Sequence, residues 1–261
     1  CLALQHGLTN SSATEWRFFT ADRVAVWGNH FKKILGAHGI ASNKIIVTGA
    51  PRSDSLIKTN KTEGQLLKKK LGIPERAHII LLASTFSLSH YDGLHNDSEI
   101  LERMKRAIFA SMTNLKNTFL IVKPHPYENE NETKSFSTNN TNIIFIDKKE
   151  DIKPLTKVCD CFVAFNSTTT IDAILLNKLV VCPAFPGWVW NDTYGETNIV
   201  YSPASIQEIS DIFKLVSNSS HLTLIKKHKN TRKKLISDWL YQHDGMCAER
   251  IGNIALSMQL N

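Results

Sequence analysis

Short apolar runs alternate with stretches of helical spacing along most of this chain. Arg23–Trp27 (RVAVW), Lys44–Gly49 (KIIVTG), His78–Ser84 (HIILLAS), Thr118–Lys123 (TFLIVK), Asn142–Asp147 (NIIFID), Asp160–Phe165 (DCFVAF) and Lys178–Pro183 (KLVVCP) are rich in Val, Ile, Leu and Phe. Runs of this length and near-continuous hydrophobicity predict strands buried on both faces. The intervening segments carry the helical period. His30–Ile40 ends at Gly39, and Thr62–Ile73 closes at Gly72. In Ser98–Asn117, Leu101, Met104, Ile108, Met112 and Leu115 fall on one face behind a cap at Asp97 or Ser98. Asp151–Cys159 places Pro154 in a first turn. Ser167–Asn177 is a further helix, and Ser205–Val216, Leu222–Gln242 and Gly245–Gln259 predict helices that close the chain.

Strands separated by helices define an α/β fold with a Rossmann-like doubly wound parallel sheet and closing C-terminal helices. The pattern holds over at least Asn43–Pro203. The expected division is residues 1–22 as the end of a preceding domain and linker, 23–221 as the Rossmann-like domain, and 222–261 as helices packing back on it. The opening CLAL, without a methionine, reads as the end of a strand in a chain that begins mid-fold.

Ligands of open parallel sheets sit at the carboxyl ends of the strands. Those ends read QHGLTN, GNH, TGAPRSD, ASTFSLSHYDG, KPHPYE, FNSTTTIDA and PAFPGW. Successive ends rich in His, Arg, Ser and Thr favour a polar, phosphate-type ligand. In FNSTTTIDA, Asn166 or Ser167 can cap the helix while Ser167, Thr168 and Thr169 crowd hydroxyls beside free N–H groups. That exceeds what capping needs, and Asp172 further in is within reach of a ribose. In KPHP, His125 can donate to a phosphate oxygen, with Pro124 and Pro126 stiffening its backbone. Lys123 reads as a strand-end charge. In TGAPRSD, Gly49 allows a tight turn and Arg52 is presented to a diphosphate or else paired with Asp54. Ser84 and Thr85 end the His78 strand, and His6 in QHG is a further candidate facing a cleft.

Composition narrows the picture little. Hydrophobic residues make up 42% and charged residues 21% of the 261, which is ordinary for a globular chain. No run approaches a membrane span. The net charge of +7 is concentrated at Lys226–Lys234 (KKHKNTRKK), which reads first as a solvated helix face. The aromatic interleaving of a single-strand nucleic-acid binder is lacking there, and no nucleic acid partner is expected. Five cysteines with no paired spacing argue against a disulfide framework. Cys159 and Cys161 read as small core thiols rather than metal ligands. The many Asn-x-Ser/Thr triplets follow from a chain rich in those residues. Walker, GxGxxG, HExxH and GxSxG signatures are all missing, so ATPase, dehydrogenase, zinc protease and α/β-hydrolase readings lose support.

On TGAPRSDSL, KPHP, NSTTTIDAILLNKLVV and the tail LYQHDGMCAERIGNIA, the chain resembles the donor-binding, carboxyl-terminal half of GT-B glycosyltransferases. More narrowly, it resembles bacterial surface-polymer enzymes: capsular polysialyl- and Kdo-transferases and CDP-glycerol glycerophosphotransferases. The resemblance implies a metal-independent transferase without a cofactor, acting in cell-surface polysaccharide synthesis. Its donor would be CMP-, CDP- or UDP-linked and its acceptor a glycan or a lipid-linked glycan. It implies that His125, Pro126, Ser167, Thr168 and Thr169 grip the nucleotide phosphates, with Asp172 near the ribose; Arg52, Ser84 and Thr85, from their places at strand ends, are further candidates for donor binding. His125 and His6 are the candidate catalytic groups. Here a run of threonines stands where relatives often carry serines, and Asp172 where many carry Glu. A cytoplasmic protein is expected, with peripheral contact at the inner membrane face. The chain is also similar to non-hydrolysing UDP-N-acetylglucosamine 2-epimerases, but STFSLSHYDG stands where those carry a His-Arg-x-Glu-Asn-type stretch. A nucleotide- or polyanion-binding module without chemistry is the other alternative.

Overall fold

The structure, a computed structural model, describes residues 1–8, 16, 18–57, 61–86, 97–137, 140–165, 167–188 and 197–259. In chain order the elements are β1 (Leu2–Leu4), β2 (Arg23–Val26), α1 (Asn29–Ala37), β3 (Ile45–Val47), α2 (Lys61–Lys70), β4 (His78–Ala83) and α3 (Ser98–Ala110). There follow β5 (Thr118–Lys123), α4 (Glu130–Lys134), β6 (Ile143–Phe145), α5 (Ile152–Val158), β7 (Cys161–Ala164), α6 (Thr169–Leu175) and β8 (Leu179–Val181). The last are β9 (Val200–Tyr201), α7 (Ile206–Ser217), α8 (His221–Lys227), α9 (Lys229–Leu240) and α10 (Cys247–Gln259). Two 3-10 turns, Ser42–Lys44 and Pro51–Leu56, flank β3.

The chain divides into two compact units, residues 1–59 with 229–261, and residues 60–228. In the first unit β1, β2 and β3 form a parallel sheet in that order. Residues 1–22 supply β1 to this sheet, and Ile45–Val47, read above into the larger sheet, joins it too. Strand pairing is a long-range choice that apolar content alone does not decide. Gln5 ties the sheet together. Its Oε1 accepts from the Trp27 backbone N–H and its carbonyl from the Trp27 indole, both at 2.9 Å. On α1, Phe31 meets Trp239 of α9 edge-on, and His30 stacks on that indole with centroids 4.5 Å apart. Gly28 permits this approach, because a Cβ there would lie 2.3 Å from the Asp238 carbonyl oxygen.

The second unit holds a six-stranded parallel sheet in the order β6-β5-β4-β7-β8-β9. Renumbered within the unit this is 3-2-1-4-5-6, the doubly wound order, and its strand sequence reverses direction between β4 and β7. Successive side chains point to opposite faces, and both faces of this sheet are covered, so the strand interiors are apolar on both. Ile80, Leu82, Leu120, Val122, Cys161 and Val163 belong to one core with Leu101, Met104 and Ile108 of α3 and Ile209, Phe213 and Val216 of α7. The alternate set, Ile79, Leu81, Ile121, Phe162 and Val180, is equally buried. Helix α3 keeps the face expected for it but ends at Ala110, and Asn114 and Asn117 adopt left-handed backbone on the way to β5. The predicted helix Leu222–Gln242 is two helices, α8 and α9, and β9 is too short to show in the pattern. Cys159 and Cys161 are buried, and burial pushes the Cys159 thiol up to about 12, as expected of inert core thiols. Among the described residues no helix is long and apolar enough to cross a membrane.

Candidate phosphate-binding edge

The reversal point of the second sheet lies at the carboxyl ends of β4 and β7. Register places Ala83 opposite both Lys123 of β5 and Ala164 of β7. The segments that follow, Ser84–Phe86, Pro124–Glu128 and Phe165 onward, therefore leave the sheet at one level. His125 and Ser167 come from strands on either side of β4, roughly 10 Å apart in strand spacing.

The KPHP loop is held from within. Lys123 is buried and donates to the carbonyls of Pro124 at 3.1 Å and Lys148 at 2.8 Å, so its charge tethers backbone rather than marking the strand end. Glu128 closes a turn by donating its N–H to the His125 carbonyl at 2.9 Å. His125 is half-buried, and its Nδ1 accepts from the Tyr127 N–H at 3.2 Å. That contact leaves the proton of the neutral ring on Nε2. Burial lowers the imidazole's proton affinity. Glu128 opposes the shift and Lys123 adds to it. The ring packs against Phe86 at 4.9 Å and Tyr127 at 5.7 Å between centroids. Pro126 is exposed.

On the β7 side Ser167, Thr168 and Thr169 are all partly exposed. The Ser167 and Thr169 hydroxyls bond each other at 2.9 Å, and the Thr169 N–H donates to Ser167 Oγ at 3.3 Å. Helix α6 has only seven residues, shorter than the pattern suggested, so its dipole is slight and the hydroxyls carry the site. Asn166 lies outside the described residues, as do residues 87–96 of the ASTFSLSHYDG segment. Asp172 is 1% exposed, buried within α6 rather than presented on the surface.

Ser84 is buried, and its hydroxyl donates to Glu128 Oε1 at 2.7 Å. Thr85 is partly exposed, and its carbonyl accepts from Lys105 Nζ at 2.5 Å. Glu128 and Lys105 were not picked out by sequence reasoning. One sits in a polar loop and the other on a helix full of charge, and only their burial distinguishes them.

His6 and Arg52 belong to the other unit. His6 is exposed just beyond β1. Arg52 lies in the 3-10 turn after β3. Its sequence neighbour Asp54 has another task. The two carboxylate oxygens accept from the N–H groups of Cys247 at 3.2 Å and Ala248 at 2.9 Å, capping α10. Arg250 on α10 returns to the same loop, donating through Nε to the Thr48 carbonyl at 2.7 Å.

The doubly wound order with a polar edge at its switch point defines a Rossmann-like fold whose ligand-binding position is that edge. The family model described as CDP-Glycerol:Poly(glycerophosphate) glycerophosphotransferase matches residues 15–256, and the chain belongs to that family. Among solved structures it is similar to the wall teichoic acid polymerase TagF, with 13% identity and a TM-score of 0.62 over 92% of this chain and 59% of that one. A glycosyltransferase from Rickettsia africae matches with 16% identity and a TM-score of 0.57, covering 96% of this chain and 69% of that one. The UDP-GlcNAc 2-epimerase of Neisseria meningitidis matches with 15% identity and a TM-score of 0.63, covering 91% and 62%. The chain thus spans about three fifths of the TagF chain's length. No curated protein matches.

Proposed function

We propose that this chain is the donor-binding part of a transferase that moves a glycerophosphate unit from a CDP-linked donor onto a growing cell-surface polymer. The observation that carries the reading is the convergence of two segments at the sheet's switch point: KPHP with its Nε2–H imidazole, and the hydroxyls of Ser167, Thr168 and Thr169. Both suit the oxygens of a diphosphate. Membership of the glycerophosphotransferase family favours this donor over a UDP-sugar, and a TagF variant soaked with CDPG shares the fold.

In the proposed step an acceptor hydroxyl oxygen bonds to the donor's β-phosphorus. The bond from that phosphorus to the bridging oxygen breaks, and CMP leaves with the electron pair. His125 and the hydroxyls stabilise the charge gathering on the leaving phosphate. The hydroxyl proton passes to a general base. A lipid-linked acceptor and a cytoplasmic site at the inner membrane face belong to the same proposal. No step needs a metal or a cofactor.

The test is a thermal-shift titration of the purified chain with CMP, CDP, UDP, GDP and UMP. A ligand at a hundredfold excess over its Kd stabilises the folded state by about 2.7 kcal/mol. A selective response to CMP or CDP that His125→Ala removes supports the proposal. A response to UDP alone favours the epimerase-like reading, whose fold matches comparably well. A steeply salt-dependent affinity for polyanions with no nucleotide response favours a binding module.

A further inference from the structure

We infer that Glu128 is a positioning residue for this phosphate site, holding the His125 loop and the end of β4 in fixed relation through the buried ammonium of Lys105. The inference deepens the function proposed above and rests on it for its ligand.

The Glu128 side chain is 3% exposed and that of Lys105 8%. Its Oε1 accepts from Ser84 Oγ at 2.7 Å, from Lys105 Nζ at 2.5 Å and from Thr133 Oγ1 at 2.5 Å. Its Oε2 accepts from the His125 backbone N–H at 3.0 Å. Four donors thus converge on one carboxylate, three on Oε1 and one on Oε2. The donors come from β4's end, α3, α4 and the KPHP loop. Lys105 extends the same clamp. Its Nζ also donates to the Thr85 carbonyl and, at 3.4 Å, bonds Thr133 Oγ1.

A buried ion pair is an inefficient source of stability, because desolvation offsets most of the attraction. Its value here is geometric. Three of its contacts end on Ser84, Thr85 and His125, which flank the switch point. The His125 ring is oriented by Tyr127, the next residue but one, so the backbone that Glu128 grips is the backbone that aims the imidazole. Glutamine is nearly isosteric but keeps one acceptor oxygen. Its NH2 would face either the His125 N–H or the Ser84, Lys105 and Thr133 donors.

The experiment is ring-nitrogen NMR of His125 in the full chain, combined with CDP titration. Glu128→Gln is expected to abolish the preference for the Nε2–H tautomer and to lower the pH at which the ring titrates. The groups facing that ring are Glu128, Lys123, Phe86 and Tyr127, and Glu128 is the negative one. Affinity for CDP should fall about tenfold. The double variant K105M/E128L, which removes both charges, should regain the thermal midpoint without regaining the His125 signature. Wild-type tautomer and titration in both variants would overturn the inference. So would recovery of the signature in the double variant, since the pair would then serve stability alone. If wild type responds to no nucleotide, the donor-site reading fails. The ring signals still decide the role of Glu128.

Discussion

The backbone N–H of Tyr127 donates to Nδ1 of His125, its neighbour but one, across 3.2 Å. Nε2 is thereby left as the donor face of a neutral imidazole, at a place where a developing phosphate charge would need one. Loss of one such donor costs about 10²- to 10³-fold in turnover in comparable sites. His125→Ala is expected to lower transfer by that order while the unfolding midpoint changes little, because the ring is only half-buried. Steady-state kinetics beside a thermal melt check this.

Protonation of buried and half-buried histidines should weaken the fold in mild acid. His30, His125, His221 and His243 all have lowered proton affinity, with burial the leading cause in each. The unfolded chain, with histidines near 6.5, binds protons before the native state does. Stability is then full above that value and is lost as the pH falls from about 6.5 through the lower native values. Denaturant unfolding at about pH 8, 6.5 and 5 should give a falling series in that order.

Gly49 is where the loop after β3 and the last helix come together. Its φ is +86°, and a Cβ would lie 2.5 Å from Cys247 Sγ and 3.2 Å from Arg250 Nη2. Gly49→Ala should destabilise by about 1–3 kcal/mol from backbone strain and overpacking combined. Adding Cys247→Ala relieves the clash but not the strain, so the double variant should recover only part of the loss. Denaturant midpoints of the three proteins test the ranking.

Asp54 caps α10 through both carboxylate oxygens. Asp54→Ala should cost about 1 kcal/mol. Asp54→Asn should recover part of it by keeping one acceptor. Hydrogen exchange at Cys247 and Ala248 would locate the loss at the start of α10. Uniform exchange across the chain would argue against the cap.

Asp160 serves as a control at the opposite edge of the second sheet. It accepts from the Ile79 N–H at 2.8 Å and lies 3.5 Å from His78 Nδ1 and 4.0 Å from the buried His221 Nε2. Asp160→Ala is expected to lower the melting temperature and to leave nucleotide affinity unchanged. A loss of affinity matching that of His125→Ala would show that the switch-point residues are not specifically responsible.

Much of this molecule is determined locally, and the sequence shows it. Strands such as HIILLA and TFLIVK have unbroken apolar interiors because both faces of a parallel sheet are covered, and that pattern implies the α/β class. Gly39 and Gly72 end helices because only a left-handed residue closes them there. KPHP and STTT stand at strand ends, where parallel sheets bind ligands, and that placement is what makes His125, Ser167, Thr168 and Thr169 the candidates. What the sequence could not show depends on partners distant in the chain. Ile45–Val47 reads like any other strand, yet it pairs with β2 in a separate sheet. Lys123 looks like a displayed charge but turns inward to two carbonyls. Asp54 looks like a partner for Arg52 but caps a helix almost two hundred residues away. Glu128 and Lys105 are ordinary surface residues by type, and only folding removes both from water and surrounds them with donors and acceptors. Burial is a property of the assembled unit, so the residues whose roles depend on it appear only once the chain has folded.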